Sequence, residues 1–167
     1  MKRLNVSCWS LMMYLVLAGC ASKQEKQEVR AVTQPEINDL PSVILIERNG
    51  SQFSTRTLPG KTILIFFGAG CDHCQREATQ IHDNLKRFEE YTLYFISLDP
   101  FPVIDKFAKD YGISDRPNIR FVRADGASVS GSLGYVQTPT ILVYAADRKL
   151  TKRFDGETKV EEILKVL

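Results

Sequence analysis

Apolar and polar positions follow two different periods along this chain, and the changes of period mark its elements. Residues 43–46 (Val-Ile-Leu-Ile) and 52–58 flank Asn49-Gly50, a pair that favours the tight turn of a β-hairpin. After Pro59-Gly60, the unbroken run Thr62-Ile63-Leu64-Ile65-Phe66-Phe67 predicts a central strand covered on both faces. The period then lengthens. Cys74, Ala78, Ile81, Leu85 and Phe88 recur every three or four residues and predict a helix with one core-facing stripe. Residues 92–98 read as a strand. Pro102 opens a helix carrying Val103, Ile104, Phe107, Ala108 and Tyr111, with Gly112 as its stop. Residues 119–122 predict a short strand, and 141–144 with 150–154 a second hairpin around Asp147-Arg148. Thr158 and Glu161 have the spacing of a capping box ahead of Val160, Ile163, Leu164 and Leu167. The order ββ-β-α-β-α-β-β-β-α predicts an α/β layered domain with a mixed sheet.

At 167 residues and 44% hydrophobic composition the chain fits one ordinary domain. Its start has the form of an export signal: Lys2 and Arg3, an apolar stretch over 9–17, then small residues. Leu17-Ala18-Gly19-Cys20 resembles a bacterial lipobox, which implies that Cys20 receives lipid and becomes the first mature residue. Residues 21–41 are rich in Gln, Glu, Lys and Ser without apolar periodicity. The expected organisation is therefore a signal peptide over 1–19, a lipidated cysteine and flexible tether over 20–41, and a folded domain over 42–167. No run reaches the roughly 18 apolar residues of a bilayer-spanning helix, so the lipid on Cys20 is the expected membrane contact. Ala21 stands where many inner-membrane lipoproteins carry aspartate, which favours the outer membrane in a Gram-negative host. Loss of Lys2 and Arg3 with the signal leaves 20 basic and 20 acidic residues, and no basic stripe points to nucleic acid.

With Cys8 lost in the signal and Cys20 carrying the anchor, Cys71 and Cys74 are the thiols that remain. An exported domain ordinarily uses spare cysteines as staples; a single close pair points to chemistry instead. A helix N-terminus stabilises a thiolate through its free N–H groups and dipole. Cys71 falls where strand gives way to helix, and Cys74 falls one turn later on the core-facing stripe. That spacing suits an attacking and a resolving sulfur.

Leu58-Pro59-Gly60-Lys61, the apolar run after it and Cys71-Asp72-His73-Cys74 resemble the thioredoxin superfamily, and most nearly its membrane-anchored bacterial TlpA/ResA-type thiol-disulfide oxidoreductases. Gly134-Tyr135-Val136-Gln137-Thr138-Pro139-Thr140 resembles that family's cis-proline loop, and the likeness spans about residues 40–167. It implies a thioredoxin-like fold with an additional N-terminal β-hairpin. It also implies a Cys71/Cys74 redox pair, and client docking at Thr138 and Pro139 across a cis peptide bond. The clients would be exported proteins with thiols or disulfides, served by an upstream thiol-disulfide donor or acceptor, with no dissociable cofactor. Glu77 matches a glutamate that ResA-type members place three residues after the second cysteine, where it moves protons or tunes the thiols; an exposed helix glutamate is the other reading. Gly70 stands where the family usually has tryptophan, which removes a partner-contacting ring.

His73 precedes the resolving cysteine as in DsbA-type oxidases, where it stabilises the attacking thiolate and makes the couple more oxidising. Asp72 opposes this with negative charge, and also simply suits the first turn of a helix. The direction of exchange leans to reduction, with a DsbA-like oxidase or isomerase as the alternative. His82 reads as a surface residue. A metal-carrying or substrate-binding lipoprotein on the same scaffold is the reading from another class, but the ligands are few. Structural zinc commonly uses two separated pairs, whereas His73 and His82 are nine residues apart and point opposite ways on one helix. Haem attachment needs histidine where Gln75 stands. Copper relays of this fold use a longer spacer and a distant histidine. The Pro-x-x-x-Thr-x-x-Cys signature of peroxiredoxins is also missing.

Overall fold

A computed structural model describes residues 38–167; the expected signal peptide, Cys20 and most of the tether lie outside them. Seven strands among these residues form one mixed sheet in the order β2-β1-β5-β4-β3-β6-β7. The strands are β1 (Ile44–Ile46), β2 (Gln52–Ser54), β3 (Thr62–Phe66), β4 (Thr92–Ser97), β5 (Ile119–Ala124), β6 (Thr140–Tyr144) and β7 (Leu150–Asp155). The helices are α1 (Asp72–Asp83), α2 (Phe101–Asp110), α3 (Gly126–Leu133) and α4 (Val160–Leu164). β3, β4 and β5 run parallel, connected through α1 and α2, while β6 returns antiparallel beside β3. Both expected hairpins form, β1 with β2 and β6 with β7.

Two hydrophobic layers follow from the period-two alternation of the central strands. Ile63, Ile65, Leu93, Phe95, Ile141 and Val143 face α1, α2 and α4, and meet Ala78, Ile81, Ile104, Phe107, Val160 and Ile163. Leu64, Phe66, Tyr94, Ile96, Leu142 and Tyr144 face the other way, against Leu40, Val43 and the partly buried Val129 and Leu133 of α3. Every residue of β3 and β6 is buried, as continuous apolar runs require.

The structure departs from the expected pattern at five places. The second arm of the first hairpin, expected over 52–58, stops at Ser54 and turns into a 3-10 helix over Thr55–Thr57. Packing starts before residue 42: Leu40 is 1% exposed, and the Thr55 hydroxyl donates to the Pro41 carbonyl, so the end of the expected tether packs with the domain. α1 ends at Asp83 instead of running to Phe88. Asn84, at φ −120° and ψ 18°, leaves helical geometry, and the rest of the stripe continues as a 3-10 turn over Leu85–Phe88 with Phe88 fully buried. α3 was not expected, because Gly-Ala-Ser-Val-Ser-Gly-Ser-Leu is a poor helix former with few apolar residues. It is held by Asp125, whose carboxylate accepts from Ser128 N–H at 2.7 Å. Ser128 and Ser132 hydroxyls in turn accept the N–H groups of Ile44 and Ser42.

The capping box at α4 does not form. Lys159 occupies the N-cap position without a side-chain bond, and the Thr158 hydroxyl turns back to the Gly156 carbonyl. Side chains of α1 do the capping instead. Glu77 Oε1 accepts from Thr158 N–H at 3.2 Å and Gln80 Oε1 from Val160 N–H at 3.0 Å. Among the described residues no helix is long and apolar enough to cross a membrane.

Candidate active site around Cys71 and Cys74

The fully buried β3 delivers the chain to the start of α1, where Cys71 takes the N-cap position with extended backbone (φ −89°, ψ 113°). Its sulfur accepts from Cys74 N–H at 3.3 Å, so one of the orphan donors of the helix start points at it. Cys71 is half-buried and free, and Cys74 is free and 3% exposed. Burial, followed by the hydrogen bond with the Cys71 sulfur, pushes the Cys74 thiol up to about 12. The pair thus divides into an accessible sulfur at a helix start and a sheltered one a turn later.

Register brings the second segment to them. Phe66, at the end of β3, faces Thr140, at the start of β6, so the residues just before β6 lie beside those just after β3. The Thr138 carbonyl is 3.6 Å from Cys71 Sγ, and the Thr138–Pro139 peptide bond is cis. Upstream, Tyr135 is 88% exposed.

Glu77 is not the exposed helix residue that one reading allowed. It is 2% exposed, one turn beyond Cys74 on the buried side of α1, and burial raises its carboxyl to about 7 despite the hydrogen bond from Thr158. Asp72 is exposed in the first turn of α1. His73 is also exposed, with its side chain 62% accessible, and its hydrogen-bond partners are not the sulfurs: Nδ1 lies 2.6 Å from Glu157 Oε2 and 2.7 Å from Arg76 Nη2. His82 lies on the surface beside Asp83, well along α1 from the sulfurs. A Cβ built on Gly70 would meet nothing within 4 Å, and the residue borders a hollow of about 320 Å³ lined by Gln75, Val103, Lys106 and Tyr111. A wider groove of about 810 Å³, lined by Arg48, Asp105, Lys109 and Arg120, contains none of the candidate residues.

Five supporting side chains were not singled out from the sequence. Asp99 Oδ2 accepts from Ala69 N–H at 2.9 Å and from the Ser97 hydroxyl at 3.0 Å, while Gln75 Nε2 donates to the Ala69 carbonyl at 3.0 Å. Together they pin the loop between β3 and Cys71 from both sides. Arg76 and Glu157 form a two-point ion pair that ties α1 to the segment before α4. No local pattern marks Asp99 or Glu157; each meets its partner across 30 and 81 residues of chain respectively.

The model of the AhpC/TSA family matches residues 37–154. The chain belongs to the AhpC/TSA family. Leu64 and Gly68 stand where the peroxiredoxin signature would place its proline and threonine before Cys71. No curated protein matches the chain. Among solved structures, it is similar to a secreted Mycobacterium tuberculosis disulfide oxidoreductase homologous to E. coli DsbE. That match has 18% identity over 75% of this chain and 96% of the other, with a TM-score of 0.56. A thio-disulfide isomerase from Thermus thermophilus aligns at 20% identity over 77% and 91%, with a TM-score of 0.58. Arabidopsis thaliana ScoI with copper bound aligns at 16% identity over 75% and 92%, also with a TM-score of 0.58. At such identities the likeness is one of fold, and the fold is thioredoxin-like, as the sequence led us to expect.

Proposed function

We propose that this chain is a TlpA/ResA-type thiol-disulfide oxidoreductase that reduces disulfides of exported proteins, held at the cell envelope by lipid on Cys20. The observation that carries this reading is the division of labour at the start of α1. The accessible Cys71 sulfur receives Cys74 N–H, and Cys74 is buried behind it with its thiol pushed up to about 12. The Cys71 thiolate attacks one sulfur of a client disulfide and forms a mixed disulfide, releasing the other client sulfur as a thiol. Cys74 then loses its proton and attacks Cys71, and the second client thiol leaves. The client gains two electrons and two protons, which an upstream dithiol must restore to Cys71 and Cys74. No dissociable cofactor enters this cycle.

Thr138, Pro139 and Glu77 have places in it. A client chain lies against Thr138 and Pro139, whose backbone borders Cys71, and the open space at Gly70 replaces the usual tryptophan contact. Glu77, near 7 and on the same side of α1 as Cys74, takes the proton that a thiol near 12 cannot release to water at useful rates. Engagement of His73 by Glu157 leaves it poorly placed to act on Cys71, which supports reduction over a DsbA-like oxidation.

Cys74→Ser should accumulate mixed disulfides with clients, visible on non-reducing gels and released by reductant, because no internal thiol resolves them. Cys71→Ser should trap far less. Equal trapping by both variants would undo the assignment of roles, and none by either would count against exchange chemistry. A reduction potential near that of thioredoxin, about −270 mV, is expected of the intact couple; one near DsbA's, about −120 mV, would reverse the direction.

A further inference from the structure

Glu157 grips the redox helix at two side chains. Arg76 donates Nε–H to Oε1 at 2.8 Å and Nη2–H to Oε2 at 2.7 Å, and His73 Nδ1 lies 2.6 Å from Oε2. A two-point arginine–carboxylate contact fixes both groups in one geometry. The residues on either side of Glu157 are fastened as well. Gly156 N–H donates to the Pro139 carbonyl at 2.8 Å, and Thr158 N–H donates to Glu77. One acid from the end of the chain therefore meets both Arg76 and His73 in the first two turns of α1, between the cis-proline loop and the buried glutamate.

We propose that Glu157 is a positioning residue that sets the redox balance of the Cys71–Cys74 couple by holding Arg76 and His73 in place and offsetting the charge of Arg76. The proposal rests on the disulfide-exchange reading above. The Arg76 guanidinium is raised above its ordinary value chiefly by the hydrogen bond to Glu157, and the charges of Glu157, Asp72 and Cys71 add smaller contributions. Arg76 stands five residues beyond Cys71, in the second turn of the helix that Cys71 caps, and a fixed cation near a helix start favours negative charge on a sulfur there. Glu157, held down to about 2 by Arg76 first and His73 second, stays an anion and offsets that cation. Asp155 and Lys159 flank it two residues away along the chain, Glu77 feels its charge, and Asp72 acts on the same Arg76.

The exchange that reads this out is balanced. Reduced protein and glutathione disulfide give the Cys71–Cys74 disulfide and two glutathione thiols, with two electrons and two protons passing to glutathione. Stabilising a thiolate at Cys71 favours the reduced protein. Glu157→Gln leaves Arg76 uncompensated, so the equilibrium constant for oxidation should fall by about threefold to tenfold, the effect of one partly screened charge. Arg76→Gln should raise it by a similar factor, and Glu157→Asp should return it close to the parent value. The pH midpoint of Cys71 alkylation by iodoacetamide should move down in Glu157→Gln and up in Arg76→Gln. A purely structural clamp would move both variants the same way, or neither, and that result would overturn the proposal. Failure of the parent protein to exchange with glutathione would sink the disulfide-exchange reading and this one together. Normal exchange with unshifted variants would sink only the role of Glu157. Should Glu157→Gln not fold, the opposite-signed shift in Arg76→Gln decides the matter alone.

Discussion

Glu77 is a carboxyl enclosed on the packed side of α1 with the Thr158 N–H as its hydrogen-bond donor. Burial without a cation disfavours the charged form, which is why its value rises from 4.5 to about 7. The folded state therefore binds more protons than the unfolded chain between those values, and stability falls as pH rises through that window. The loss is on the order of 3 kcal/mol, because each pH unit between the two values contributes about 1.4 kcal/mol. Glu77→Gln keeps an acceptor for Thr158 but cannot ionise. Urea unfolding at pH 5 and at pH 8 should give nearly equal stabilities for the variant and clearly unequal ones for the parent; an unchanged slope in the variant would refute the assignment. The same substitution should slow resolution of the mixed disulfide at neutral pH by about a hundredfold, the usual weight of a positioned proton acceptor. Glu157 titrates in the opposite sense. Its lowered value makes it stabilising at neutral pH, with that contribution lost as pH falls from 4.5 to about 2.

α3 shows how an element with poor intrinsic propensity persists. Its apolar contribution is small, Val129 and Leu133 one turn apart against the second layer. Hydrogen bonds supply the rest: Asp125 caps the first turn, and the Ser128 and Ser132 hydroxyls hold the backbone entering β1. Asp125→Ala should cost about 1 kcal/mol, the ordinary loss for an acidic N-cap. Amide exchange should read the effect first at Ile44, whose N–H bonds to Ser128; unaltered protection there would mean that α3 does not hold β1. α1 and α4 depend on each other in a similar way, because Glu77 and Gln80 receive the N–H groups of Thr158 and Val160 at the start of α4.

At the scale of the whole molecule, the site exists because antiparallel β6 enters the sheet where parallel β3 leaves it. That register depends on a close approach at the opposite end of β3. Lys61 N–H bonds to the Ala145 carbonyl, and a Cβ on Gly60 would stand 2.0 Å from the Ala146 carbonyl oxygen. The obstacle is backbone, so it cannot rotate away. Gly60→Ala should destabilise the domain by roughly 3 kcal/mol or more through forced movement of the β6–β7 turn. Thermal unfolding would register this as a large drop in Tm, and a variant within a degree of the parent would show that the turn yields freely.

Much of this architecture is written in local pattern. Period-two and period-three-to-four apolar spacing is a property of the chain itself, because a strand or helix must bury one face or both whatever its neighbours are. It located β3, α1, α2, both hairpins and the position of Cys71 at a strand-to-helix junction. The cis Thr138–Pro139 bond was expected from the family resemblance. Other features were decided only when distant segments met. Whether Glu77 is wet or dry depends on residues 156–160 lying across α1, and nothing within four residues of Glu77 encodes that. His73 was read beside Cys71 because sequence proximity is all that a motif offers, yet its ring is directed by Glu157, 84 residues away. Thr158 and Glu161 have capping-box spacing, but the Thr158 N–H that Glu161 would have received already meets Glu77 on α1. Hydrophobic periodicity is local and additive, so it is legible along the chain; the surroundings of a charged group are set by its tertiary neighbours, so they are not.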